Sequence, residues 1–181
     1  MEEASFAAGS VSRTPAFFIS LLCPSPFFEL MNEIRAELAS WEANFSFPLE
    51  IVSPGVQLGI RQPSQIITID NIGDVSCGYE VVFKAIGAVQ NPELLNMNTG
   101  EFIRINATMT AGQEFHVFTH FAGKRVTSII GTTESNAFSL LDTGSTFLQL
   151  AAGRNTLRYD APANIDLLEV SVYYRPQFLG V

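Results

Sequence analysis

The rhythm of hydrophobic and polar positions changes near residue 63. Beyond it, short runs of β-branched and aromatic residues alternate with Gly, Asn and Asp turns, at 65–70, 78–87, 93–97, 101–108, 113–120, 124–130, 146–150, 154–160 and 167–175. Several of these runs have period two. Phe115, Val117 and Thr119 alternate with His116, Phe118 and His120, and Ile103 and Ile105 with Arg104 and Asn106. Side chains of a strand point alternately to its two faces, so such runs predict strands with one buried side. The joints Asn98-Thr99-Gly100, Ala111-Gly112, Ala122-Gly123 and Ala152-Gly153 suit tight hairpins. Strands at this spacing, without intervening helical segments, predict a mainly β fold, an antiparallel β-sandwich of jelly-roll type. No strand is followed by a glycine-rich phosphate loop.

The first third reads differently. Residues 1–16 are small and polar and predict a loose arm. Phe17–Cys23 is a short apolar run that predicts a buried strand. From Pro26 to Glu42 the pattern predicts one amphipathic helix, with Ser25 as N-cap and Pro26 at the first helical position. Phe27, Leu30, Met31, Ile34, Leu38 and Trp41 share its apolar stripe, and Glu29 and Glu33 lie near its positive end. That stripe packs on its own domain or is a helix interface for a partner. Pro48, Pro54 and Pro63 make residues 43–63 an extended connector. The expected organisation is an N-terminal arm and strand at 1–25, a helix and connector at 26–63, and a β-sandwich domain at 64–181.

Composition narrows the function. The chain has 181 residues, 47% apolar but only 15% charged, with a net charge of −8. An acidic chain does not grip a phosphate backbone by bulk charge, so no nucleic-acid partner is expected. No apolar run is long enough to predict a membrane span. The opening Met1-Glu2-Glu3-Ala4 lacks the basic start of a secretory signal. Cys23 and Cys77 read as isolated thiols rather than a disulfide framework. The sequons at Asn44 and Asn106 read as chance.

Nothing in the spacing of residues carries a catalytic signature, and the chain is expected not to be an enzyme. His116 and His120 on one strand would stand roughly 13 Å apart, too far to share a metal. The Asp residues after position 63 sit mostly in turns, where they bond their own backbone. No metal or cofactor is expected. Among the aromatics, Tyr79, Tyr173 and Tyr174 are candidate contact residues. An exposed Tyr on a sandwich serves a protein contact or stacks a saccharide ring, and adjacent Tyr173 and Tyr174 point to opposite faces.

Five segments carry a resemblance to a known family. They are Leu22-Cys23-Pro24-Ser25-Pro26-Phe27-Phe28-Glu29; Gly73-Asp74-Val75-Ser76-Cys77-Gly78-Tyr79-Glu80-Val81-Val82-Phe83-Lys84-Ala85; Asn91-Pro92-Glu93-Leu94-Leu95-Asn96-Met97-Asn98-Thr99-Gly100-Glu101-Phe102-Ile103; and Ala152-Gly153-Arg154-Asn155-Thr156-Leu157-Arg158-Tyr159-Asp160 with the ending Val170–Val181. In order and spacing they resemble the distal tail protein family of siphovirus-type phages and prophages. The resemblance implies a galectin-like C-terminal sandwich in a tail-tip or baseplate structural protein of the virion, made in the host cytoplasm. It implies contacts with the tail tube, tape measure and tail-associated or receptor-binding proteins, and self-association into a ring. On that plan Phe17–Cys23 stands where the last strand of the ring-forming domain would be, the rest of that domain being missing, so the chain reads as a truncated or short version. A carbohydrate-binding module recognising host cell-wall saccharide is the alternative.

Overall fold

From Tyr79 to Ala85 every second side chain is buried: Tyr79, Val81, Phe83 and Ala85 turn inward, while Glu80, Val82 and Lys84 turn outward. The computed structural model, which describes residues 18–20, 25–43, 59–63, 65–121 and 123–180, repeats this alternation strand after strand. In chain order the strands are β1 (Phe28–Glu29), β2 (Ile34–Glu37), β3 (Ala39–Ala43), β4 (Gly59–Pro63), β5 (Ile66–Asn71), β6 (Tyr79–Ala85), β7 (Val89–Gln90) and β8 (Glu93–Asn96). They continue with β9 (Phe102–Arg104), β10 (Thr108–Met109), β11 (Gln113–Phe118), β12 (Arg125–Ile130), β13 (Thr133–Asn136), β14 (Gly153–Asp160), β15 (Leu168–Tyr174) and β16 (Gln177–Phe178).

Two larger antiparallel sheets result. One has six strands in the order β13-β12-β11-β6-β15-β2, the other four in the order β5-β14-β8-β9. Pairs β1-β16, β7-β10 and β3-β4 stand beside them. One cluster of buried side chains takes members from both larger sheets: Val81, Phe83, Phe115, Val117, Val170 and Val172 from the first, Ile69, Leu94, Ile103, Leu157 and Tyr159 from the second. Burying each such side chain is worth about 1.5–3 kcal/mol, so this shared core dominates the stability of the fold.

Strands at 65–70, 78–87, 93–97, 113–120, 124–130, 154–160 and 167–175 are found close to the expected limits. The run 101–108 divides into β9 and the start of β10. Asn98-Thr99-Gly100 joins β8 to β9, with Gly100 at φ +75°, a conformation that glycine takes without strain. Residues 146–150 are irregular apart from a bridge between Leu150 and Cys77, yet Leu148 and Leu150 are buried. Cys77 is buried beside that bridge, and burial, with the nearby charge of Glu29, pushes its thiol up to about 11.

The expected helix over 26–42 is absent: residues 25–43 contain β1, β2 and β3 instead. The predicted cap is formed locally, as the Phe27 N–H donates to Ser25 Oγ at 3.4 Å, but the turn does not propagate. The decisive factor is a strand partner. Ile34–Glu37 pairs antiparallel with Ser171–Tyr174, and the Leu38 N–H donates to the Val170 carbonyl at 2.9 Å. Ile34, Ala36 and Leu38 also satisfy period two, and in this setting they turn towards the core while Arg35 and Glu37 face water. A helical stripe would have buried Leu30 and Met31 with them, but both are exposed. Local propensity is weak compared with such pairing. The expected strand at Phe17–Cys23 falls largely outside the described residues; 18–20 have no regular structure, and Phe18 and Ile19 are exposed.

Buried asparagines fix the irregular segments. Asn155 accepts from the Ala151 N–H at 2.9 Å and donates to the Ala151 and Gly153 carbonyls at 2.8 and 2.9 Å. Asn71 accepts from the Gly73 N–H at 3.0 Å and donates to the Val75 and Leu150 carbonyls. Buried Thr119 binds both backbone groups of Tyr79 at 2.9 Å.

Tyr79 is the opposite case. Its hydroxyl is buried with no hydrogen-bond partner among the described residues. Removing one partner of a buried bond leaves the others unsatisfied, whereas removing an unsatisfied group relieves a cost. Asn155→Ala should therefore lose about 1–3 kcal/mol in urea unfolding, and Tyr79→Phe should gain about 1 kcal/mol.

Candidate functional site

The outward side of the six-stranded sheet collects charged and aromatic residues in three rungs set by strand register. The first rung runs Arg125, Phe118, Glu80, Tyr173, Arg35 across β12, β11, β6, β15 and β2. The second runs Thr127, His116, Val82, Ser171, Glu37, and the third Ile129, Glu114, Lys84, Glu169. Between them lies a shallow groove of about 300 Å³, lined by Glu33, Arg35, Glu80, Val82, Lys84, Glu114, His116, Glu169, Ser171 and Tyr173.

His116 is the hub of this face. Its Nδ1 lies 2.6 Å from Glu80 Oε1, and its Nε2 lies 3.3 Å from Glu114 Oε2. Both carboxylates accept, so only the doubly protonated imidazolium donates to both. The bond to Glu80, helped by Glu114, outweighs partial burial and raises the pKa of His116 above the usual imidazole value. Lys84 adds a weaker contact to Glu114 at 3.9 Å. Each end of the first rung is capped by a cation over a ring. Arg125 lies 3.5 Å from the Phe118 centroid, and Arg35 lies 5.5 Å from that of Tyr173 while pairing with Glu37 at 2.8 Å.

Of the three tyrosines expected at a contact, only Tyr173 reaches this face. Tyr79 is fully buried, and Tyr174 is 4% exposed with its hydroxyl donating to the Asp70 carbonyl at 3.4 Å. Their period-two partners point inward, which removes both from any surface contact. The expected helix interface is dispersed in the same way. Leu38 belongs to the core, Ile34 packs against it, Phe27 is half-buried, and Leu30 and Met31 remain exposed. The side chain of Trp41 lies outside the described residues, although its backbone pairs with Arg61 in β3-β4.

Glu80, Glu114 and Arg35 were not expected at a site. The available signal was the outward set of each alternating strand, Glu80–Val82–Lys84 and Glu114–His116–Phe118, but the register that aligns those sets depends on the fold. His120 lies beyond the end of β11, and its backbone packs closely over Gly78.

The family model described as "Siphovirus-type tail component, C-terminal domain" matches residues 72–178, more than half of the chain and the whole stretch from β6 to β16. The chain belongs to the siphovirus-type tail component family. This is a phage tail component, as the sequence resemblance implied. A chain from the structure of the phage P2 baseplate in its activated conformation with Ca is similar over 80% of this chain, with 11% identity and a TM-score of 0.43. This chain spans about half of that neighbour, 53% of its length. No curated protein matches the sequence.

The His116 cluster sets a pH dependence. A group whose pKa is raised by folding stabilises the folded state fully below its unfolded value, near pH 6.5, and loses that contribution as pH rises through the folded value. Urea unfolding of the wild type and His116→Gln across pH 5–9 should show the wild type favoured at the acidic end. The difference should shrink progressively above about pH 6.5. A difference independent of pH would mean that the imidazole is uncharged in the cluster.

Proposed function

We propose that this chain is a virion structural protein of the tail tip, part of the hub that links the tail tube to the adsorption apparatus. The observation that carries this reading is the family match, which runs without a break from β6 to β16 and takes in every strand of the two larger sheets except β2 and β5. In this reading the two sheets pack as a galectin-like sandwich, and the protein works by assembly rather than by bond chemistry. Its neighbours are the tube, the tape measure and a tail-associated or receptor-binding protein. Copies of the chain close into a ring, the usual outcome when identical subunits repeat one contact around an axis.

An apolar group near the start of the described chain supports assembly. Phe28 is 68% exposed and Met31 96% exposed, with Leu30 and Leu179 also open to solvent. Large apolar side chains gathered on a surface mark a contact more often than they mark bare surface. Of these, Leu30 and Met31 belong to the expected stripe, and we offer them with Phe28 as a contact made without a helix.

Two measurements test the proposal. The purified chain should have a native mass above that of one copy, and Met31→Asp together with Phe28→Asp should lower it. Mass spectrometry of purified tail particles should find the chain. A protein that is monomeric at every concentration and missing from particles would rule the proposal out.

A further inference from the structure

The groove on the outward face of the six-stranded sheet is not used by the assembly reading, and its chemistry points to a ligand. We propose that it holds a neutral, hydroxyl-rich saccharide, with Tyr173 as the surface for the sugar ring and Glu80 and Lys84 as hydrogen-bonding groups.

Charge is the first argument. Most of the ions on this face are already paired with one another: His116 with Glu80 and Glu114, Lys84 with Glu114, and Arg35 with Glu37. Glu169 stands opposite Lys84 in register. Internal pairing leaves little net attraction for a strongly charged partner. It still leaves lone pairs and N–H groups facing water, because these side chains are part-exposed.

The second argument is composition. The buried centre of a protein interface is depleted of charged residues. Here the third rung has Glu114, Lys84 and Glu169 in succession, which a protein surface would have to desolvate at considerable cost. A saccharide hydroxyl both donates and accepts, so each one meets a carboxylate oxygen and a cationic N–H of this face equally well. The groove, at about 300 Å³, is at the small end of ligand sites.

Preorganisation is the third. Glu80 is held by His116 at 2.6 Å, and the Tyr173 ring by Arg35 on β2. Side chains already fixed lose little freedom when a ligand arrives. The half-buried Tyr173 offers an apolar ring with a polar tip, the amphipathic surface that suits a sugar.

Binding at this groove does not require a ring or a particle, so it succeeds or fails independently of the assembly reading. Saturation-transfer NMR on the full chain should be run with galactose, glucose, rhamnose and N-acetylglucosamine, each at about 10 mM, the range of weak single-site affinities. Inorganic phosphate and a lysine-rich peptide are the comparison ligands, tested by chemical-shift perturbation. At least one neutral sugar should receive saturation. Tyr173→Ala and Glu80→Gln, each confirmed folded by circular dichroism, should weaken its binding about tenfold. Thr68→Ala on β5, outside the groove, should leave it unchanged. The proposal is overturned if no sugar binds, if binding survives both groove variants, or if the peptide or phosphate binds in preference.

Discussion

The register of β6 is the constraint on which the structure depends. This strand is paired along its length with β11 on one side and β15 on the other, and four of its seven side chains are in the core. A slip of one residue would exchange Tyr79, Val81 and Phe83 for Glu80, Val82 and Lys84, placing two charges among apolar side chains. Such an exchange forfeits the burial of large residues and desolvates unpaired ions together. The neighbouring strands inherit the register because each must match β6, and β2 and β12 inherit it in turn.

The outward face is the other half of the same constraint. Once Phe83 and Val81 are fixed inside, Glu80 must stand opposite Phe118 and Tyr173, and Val82 opposite His116 and Ser171. The contact between His116 and Glu80 is then a diagonal one across adjacent strands, within the reach of long side chains. Apolar burial thus positions a polar cluster without any element devoted to it. The buried asparagines complement it. Asn71 and Asn155 bond the backbone around the ends of β5 and β14, so the irregular residues there keep their polar groups satisfied.

How much of this was legible in the sequence depended on how local the determinant is. Alternation within one run is local, and Phe115–Val117–Thr119 revealed both the strand and its buried side. Turn chemistry is local too, as at Asn98–Gly100. The segment 26–42 misled because Phe27, Leu30, Met31, Ile34 and Leu38 fit a helical stripe while Ile34, Ala36 and Leu38 fit a strand equally well. Only the free edge of β15, far along the chain, decides between them. β13 was missed for a related reason: Thr133–Asn136 is polar and fully exposed, and only its ladder with β12 makes it a strand. The groove could not be read at all, since its residues come from four strands, and their alignment is a property of pairing rather than of spacing. Tyr173 and Tyr174 do point to opposite faces, but which of them faces water is settled by the core.

The short pairing of β1 with β16 has a mechanical meaning. Phe28 lies opposite Phe178 and Glu29 opposite Gln177, and the Phe28 ring closes over Gly180. The strands are antiparallel, so the chain running back from Phe28 and the chain running on from Phe178 leave the same end of one ladder. Tension pulling those two leads apart would separate the strands one hydrogen bond at a time, as a zip opens, rather than shear the whole ladder at once. Under load this clamp would yield before the long ladders that β6 holds together.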